Sequence, residues 1–87
     1  MTTPGADDFR AALLRQLAEA EKNGEAHCEV KAGDLHREVG GYPDAEHRMP
    51  TCCGVMRQAM TGKDRILEAP GSGYGANLLI RYMLPRA

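Results

Sequence analysis

From Lys31 to Leu84 the chain reads helix, turn, helix, strand, Gly-rich tip, strand, and this order does most to narrow its possible folds. A first short helix is expected over about 33–39, with Leu35 and Val39 four apart on its buried side, and Gly40-Gly41 ends it. Residues 42–46, Tyr-Pro-Asp-Ala-Glu, have the chemistry of a turn. A second helix is expected over 50–60. Pro50 suits its first turn, where a missing N–H costs nothing. Met49, Cys53, Met56 and Met60 fall on one stripe, widened by Cys52, Val55 and Ala59. The opposite face carries Thr51, Gly54, Arg57, Gln58 and Thr61. Two strands follow, over 64–69 and 78–84. In the second, Leu78, Ile80, Tyr82 and Leu84 alternate with Leu79, Arg81 and Met83. Their connection, 70–77, holds three Gly and one Pro and reads as a hairpin tip.

Ahead of this block, residues 1–6 are expected to be a flexible tail, and residues 7–87 a single domain. A helix over about Asp7 to Lys22 is predicted by the spacing of Phe9, Leu13, Leu14, Leu17 and Ala20. Asp7 or Asp8 can cap it, and Asn23-Gly24 stops it. His27 to Val30 alternates weakly, as a short edge strand would.

The whole order resembles the winged helix-turn-helix superfamily: an α+β fold of three helices with a C-terminal β-hairpin wing. The block from Asp34 to Pro43, followed by His47 to Cys53, is also similar to small uncharacterised bacterial and phage proteins. The superfamily resemblance implies that the second helix of the pair enters the DNA major groove while the wing touches the backbone or minor groove. Carried onto this chain, it makes 50–60 the recognition helix, with Thr51, Arg57 and Gln58 towards the base edges. This chain departs from many DNA-binding members in having no Lys or Arg on its wing tip; Arg65 and Arg81 only flank it.

Charge is distributed in keeping with that division. The chain has a formal net charge of −1 over 87 residues, but residues 1–30 carry three basic and six acidic side chains, and 31–87 eight and six. The binding half therefore offers a basic patch rather than a strongly basic face. The longest wholly apolar runs are a few residues, against about 20 for a membrane span, and the N-terminus lacks a secretory signal pattern. A cytoplasmic location is expected. Three Cys, two of them adjacent, argue against a disulfide framework.

Candidate DNA contacts are Arg37, His47, Arg48, Thr51, Arg57 and Gln58, with Tyr74, Asn77 and Arg81 from the wing. Arg grips phosphate or guanine, Gln pairs with adenine, and Thr bonds a phosphate or touches a thymine methyl. Tyr74 at a Gly-rich tip is placed to stack. His36 is expected on the exposed side of its helix, beside Arg37. The Gly71, Gly73, Gly75 spacing lies between strands with no helix after it, so it does not read as a nucleotide loop. His27, Cys28, His36, His47, Cys52 and Cys53 are zinc-ligand types, but no pair has knuckle spacing, and adjacent Cys point about 100° apart on a helix. A Cys near a helix N-terminus can have a lowered pKa, with His36 or His47 as base. A domain this small, however, leaves little room for a substrate pocket.

The expectation is thus a non-enzymatic, cofactor-free bacterial or phage transcriptional regulator that binds duplex DNA. Useful specificity asks for a homodimer, through the first helix or the Leu79 and Met83 strand face. The alternative is a winged-helix protein-interaction module, an adaptor or inhibitor, favoured by the acidic first helix and the uncharged wing.

Overall fold

The computed structural model describes residues 4–40, 48–69, 71 and 75–86. Its elements follow as α1 (Ala6–Lys22), β1 (His27–Lys31), α2 (Ala32–Val39), α3 (Met49–Gln58), β2 (Arg65–Glu68) and β3 (Leu79–Met83). The three strands form one antiparallel sheet in the order β1–β3–β2. This is the α+β winged helix-turn-helix architecture, with β2 and β3 as the wing hairpin.

Local chemistry explains the helix ends. Asp8 does not cap α1 from the N-cap position; Gly5 holds that place. The Asp8 carboxylate instead accepts the Gly5 N–H at 2.9 Å from one turn inside the helix. At the other end Gly24 takes φ +80°, and the Glu25 N–H reaches back to the Ala20 carbonyl at 3.0 Å. That six-to-one bond satisfies a carbonyl the helix would otherwise leave open. The start of α2 is capped by the far side of the wing: Ala32 N–H donates to Leu78 O at 2.8 Å and Gly33 N–H to Ala76 O at 3.0 Å. A Cβ on Gly33 would stand 3.1 Å from the Ala76 Cβ, so a side chain here would make the turn give by a few tenths of an ångström.

One apolar cluster joins Phe9, Leu13 and Leu17 of α1, Val30, Leu35, the α3 stripe, and Leu78, Ile80 and Tyr82. Two expectations change here. Leu14, expected in the core, is 55% exposed. Phe9, Leu13 and Leu17 repeat every four residues and take the inward line of α1, which leaves Leu14 beyond its edge. His36, expected outside, is fully buried. Its ring meets Phe9 edge-on at 4.8 Å between centroids, and its Nε2 accepts the Arg48 N–H at 2.7 Å. The imidazole thus fixes the residue from which α3 starts.

A second buried polar group closes the far end of the domain. The Asp64 side chain is wholly covered and accepts hydrogen bonds from Thr61 N–H and Met83 N–H, both at 2.7 Å. Arg86 Nη1 reaches its two oxygens at 2.7 and 2.9 Å. Arg86 also donates to Ala59 O at 2.6 Å and lies 5.3 Å from the Tyr82 ring centroid. Tyr82 in turn donates its hydroxyl to Met56 O at 2.7 Å. Burial alone would raise the Asp64 pKa. The bonds from Arg86, Met83 and Thr61 outweigh it and hold the carboxyl below the usual carboxylate range. The end of α3, the start of the wing and the chain after β3 are joined through this one carboxylate.

Candidate nucleic-acid interface

The buried stripe of α3 determines what its other face presents. Met49, Cys52, Cys53, Val55 and Met56 are all covered by the core. Thr51, Gly54 and Arg57 are half-buried and Gln58 is exposed, so at three- and four-residue steps they form one outward strip. Among the described residues, nothing beyond its chain neighbours and its own helix backbone lies within 4 Å of the position a Cβ would take on Gly54. The middle of the strip is therefore bare helix backbone, with a hydroxyl one turn before it and a guanidinium and an amide one turn after. Arg48 flanks α3 at its N-cap, with its side chain exposed and its backbone held by His36.

The other candidates sit on different elements. Arg37 is exposed on α2, with Nη1 3.4 Å from Asp34. Asn77 is exposed in the turn that leads into β3. The carbonyls beside it hold that turn to the helices: Ala76 O accepts from Gly33, and Gly75 O accepts the Cys53 thiol at 3.5 Å. The base of the wing is thus anchored on α2 and α3. Arg81 lies on the sheet face away from the helices, directly across from Glu29, and gives it Nε and Nη2 at 3.0 and 2.8 Å. It is the candidate already held by a carboxylate across the sheet. His47 and Tyr74, with most of the tip and the 42–46 turn, lie outside the described residues.

The thiols of α3 are small buried groups of the core. Burial, and then the neighbouring Cys53, push the Cys52 thiol up to about 12; burial also raises Cys53 despite the influence of Arg57. Cys52 donates to Ala32 O at 3.6 Å. Core packing has overcome whatever the helix terminus offers. Among the described residues, no group of three or more His, Cys, Asp or Glu side chains is arranged to hold a metal ion, and no helix is long and apolar enough to cross a membrane.

The Asp64–Arg86 link was not expected from the sequence, and His36 lies on the buried rather than the exposed side of α2. Thr61 and Asp64, three apart, carry a local turn signal, since Asp64 N–H also bonds Thr61 O at 3.1 Å. Nothing local points from Asp64 to Arg86. Comparison of the chain with protein-family models, curated proteins and solved structures finds no match.

Proposed function

We propose that this protein is a bacterial or phage transcriptional regulator that binds duplex DNA by laying α3 in the major groove. Thr51, Arg57 and Gln58 face the base edges, Arg37 and Arg48 take flanking phosphates, and the wing at Asn77 lies against the backbone. His47 and Tyr74 belong to the same interface by their sequence positions. The observation that carries this reading is the outward strip of α3. It is polar along its length, and its bare centre lets helix backbone come close to a groove floor. Its C-terminal end carries a guanidinium and an amide on consecutive positions, about 100° apart around the helix, the two groups suited to guanine and adenine.

Fluorescence polarisation with random-sequence duplex at about 50 and 200 mM salt tests the reading, because phosphate contacts release counterions and make affinity fall steeply with salt. Arg48→Ala should flatten that salt dependence. On a selected target site, Arg57→Ala should cost about 1–3 kcal/mol, roughly five- to 150-fold in affinity. No binding at micromolar protein, or binding indifferent to both substitutions, would overturn the proposal.

A second reading, a module that binds another protein, draws on one observation. Leu14 is 55% exposed on α1, between the exposed Ala11 and Ala18 on the same helix face. A partner held there would show little salt dependence.

A further inference from the structure

Among the described residues, the sheet order leaves one long side of β2 without a neighbouring strand. All four of its side chains are exposed, including Ile66 at 38% and Leu67 at 40%. An open edge with two large apolar side chains is a template for another strand.

The sequence of that edge, Arg65-Ile66-Leu67-Glu68, is complementary to itself when reversed. Antiparallel to a second copy, the cation meets the anion at both ends and the apolar pair meets in the middle. Set parallel, like charges would oppose each other. In a regular strand this match would fail, because residues three apart point to opposite faces. The bulge in β2 removes that obstacle. Arg65 lies opposite Arg81 and Glu68 opposite Leu79, with the register shift between Ile66 and Glu68. Arg81 and Leu79 are two apart on β3, so Arg65 and Glu68 share one face and one backbone orientation. A two-fold pairing of this edge requires that equivalence.

Among the described residues neither charge is matched. Arg10, Arg15, Arg37, Arg81 and Arg86 all have carboxylate partners, whereas Arg65 and Glu68 have no ion pair among the described residues. Across the ladder Arg65 faces Arg81, whose carboxylate partner Glu29 is already taken, so that neighbour offers Arg65 no counter-charge.

We propose that two copies of this chain associate edge to edge through β2, antiparallel, with Arg65 of each opposite Glu68 of the partner subunit. The result is a six-stranded sheet with both sets of helices on one side. A four-residue edge is small beside the roughly 1,000 Å² of a stable interface, so the dimer is a weak, concentration-dependent one. The inference does not rest on DNA binding and is tested without DNA.

The experiment is sedimentation equilibrium of wild type, Arg65→Glu, Glu68→Arg and an equimolar mixture of the two variants, from micromolar to millimolar protein. Thermal melts confirm that each variant is folded, as expected for exposed positions. Wild type should dimerise with concentration. Each variant alone should remain monomeric, since its paired ends now carry like charges. The mixture should regain the dimer, because the doubly acidic edge of one variant then meets the doubly basic edge of the other. A wild type monomeric throughout, a dimer that survives either substitution, or a mixture that stays monomeric would each overturn the proposal.

Discussion

Replacing Asp64 with Ala removes the acceptor for donors from three residues at once, and the structure indicates the size of the effect. The Met83 N–H, in a strand, loses its 2.7 Å bond to the carboxylate. Leaving such a donor unsatisfied costs about 1–2 kcal/mol. The Thr61 N–H loses its bond as well, but Thr61 is exposed and water replaces the carboxylate, so its share is small. The Arg86 side chain is only 22% exposed; it keeps Ala59 O and Met83 O but loses its counter-charge, for about a further 1–2 kcal/mol. The sum is about 3 kcal/mol, against the roughly 4–13 kcal/mol that a domain of this length holds. Equilibrium urea unfolding should show that loss with an unchanged m-value, and Tm should fall by about 12–24 °C. The dependence on pH has a definite sign. The folded-state pKa is depressed, so the carboxylate's contribution is complete above its unfolded value near about 4 and disappears as pH falls through the lower folded value. The gap between wild type and Asp64→Asn should therefore be level from neutral pH down to about 4 and close below it. A loss under about 1 kcal/mol at neutral pH, or a gap that widens in acid, would refute the assignment of Asp64 as the shared acceptor.

Other substitutions separate neighbouring roles. Gly54→Ala should stabilise the domain by about 0.5–1 kcal/mol, since the backbone is helical and the space open, whereas Gly33→Val should cost about 1–3 kcal/mol by driving the wing off α2; equal effects in urea unfolding would contradict both. His36→Leu removes the acceptor for the Arg48 N–H and should cost about 1–3 kcal/mol, with amide exchange at Arg48 and along the first turn of α3 speeding up. Titration of the native protein with a thiol-specific disulfide reagent at mildly alkaline pH should modify half-buried Cys28 first, with Cys52 reacting only on unfolding. Early reaction at Cys52 would contradict its burial.

The elements and their order were legible in the sequence because their signals are local. The Met and Cys stripe of α3 has a single apolar arc, so its buried and outward faces follow from residue spacing alone. The alternation along β3 works in the same way, with Ile80 and Tyr82 inward and Leu79, Arg81 and Met83 half-exposed. Where two readings shared one helix, spacing was not enough. Leu13 and Leu14 are adjacent and both apolar, and only the placement of α2, α3 and β1 against α1 leaves Leu14 outside. His36 looked like surface because an imidazole is polar. It is core because Phe9 and the Arg48 N–H, distant in sequence, supply a ring to pack on and a donor to accept.

By itself, then, the sequence determined three helices, a hairpin and the polar strip of α3, all set by periodicities of a few residues. Tertiary structure alone decided that Arg81 belongs to Glu29, that Asp64 belongs to Arg86, and that a bulge sets Arg65 and Glu68 on one face of an open edge. Periodicity records which side of an element is apolar, but the partner of a charge depends on strand register and chain crossing, which no local window of sequence contains.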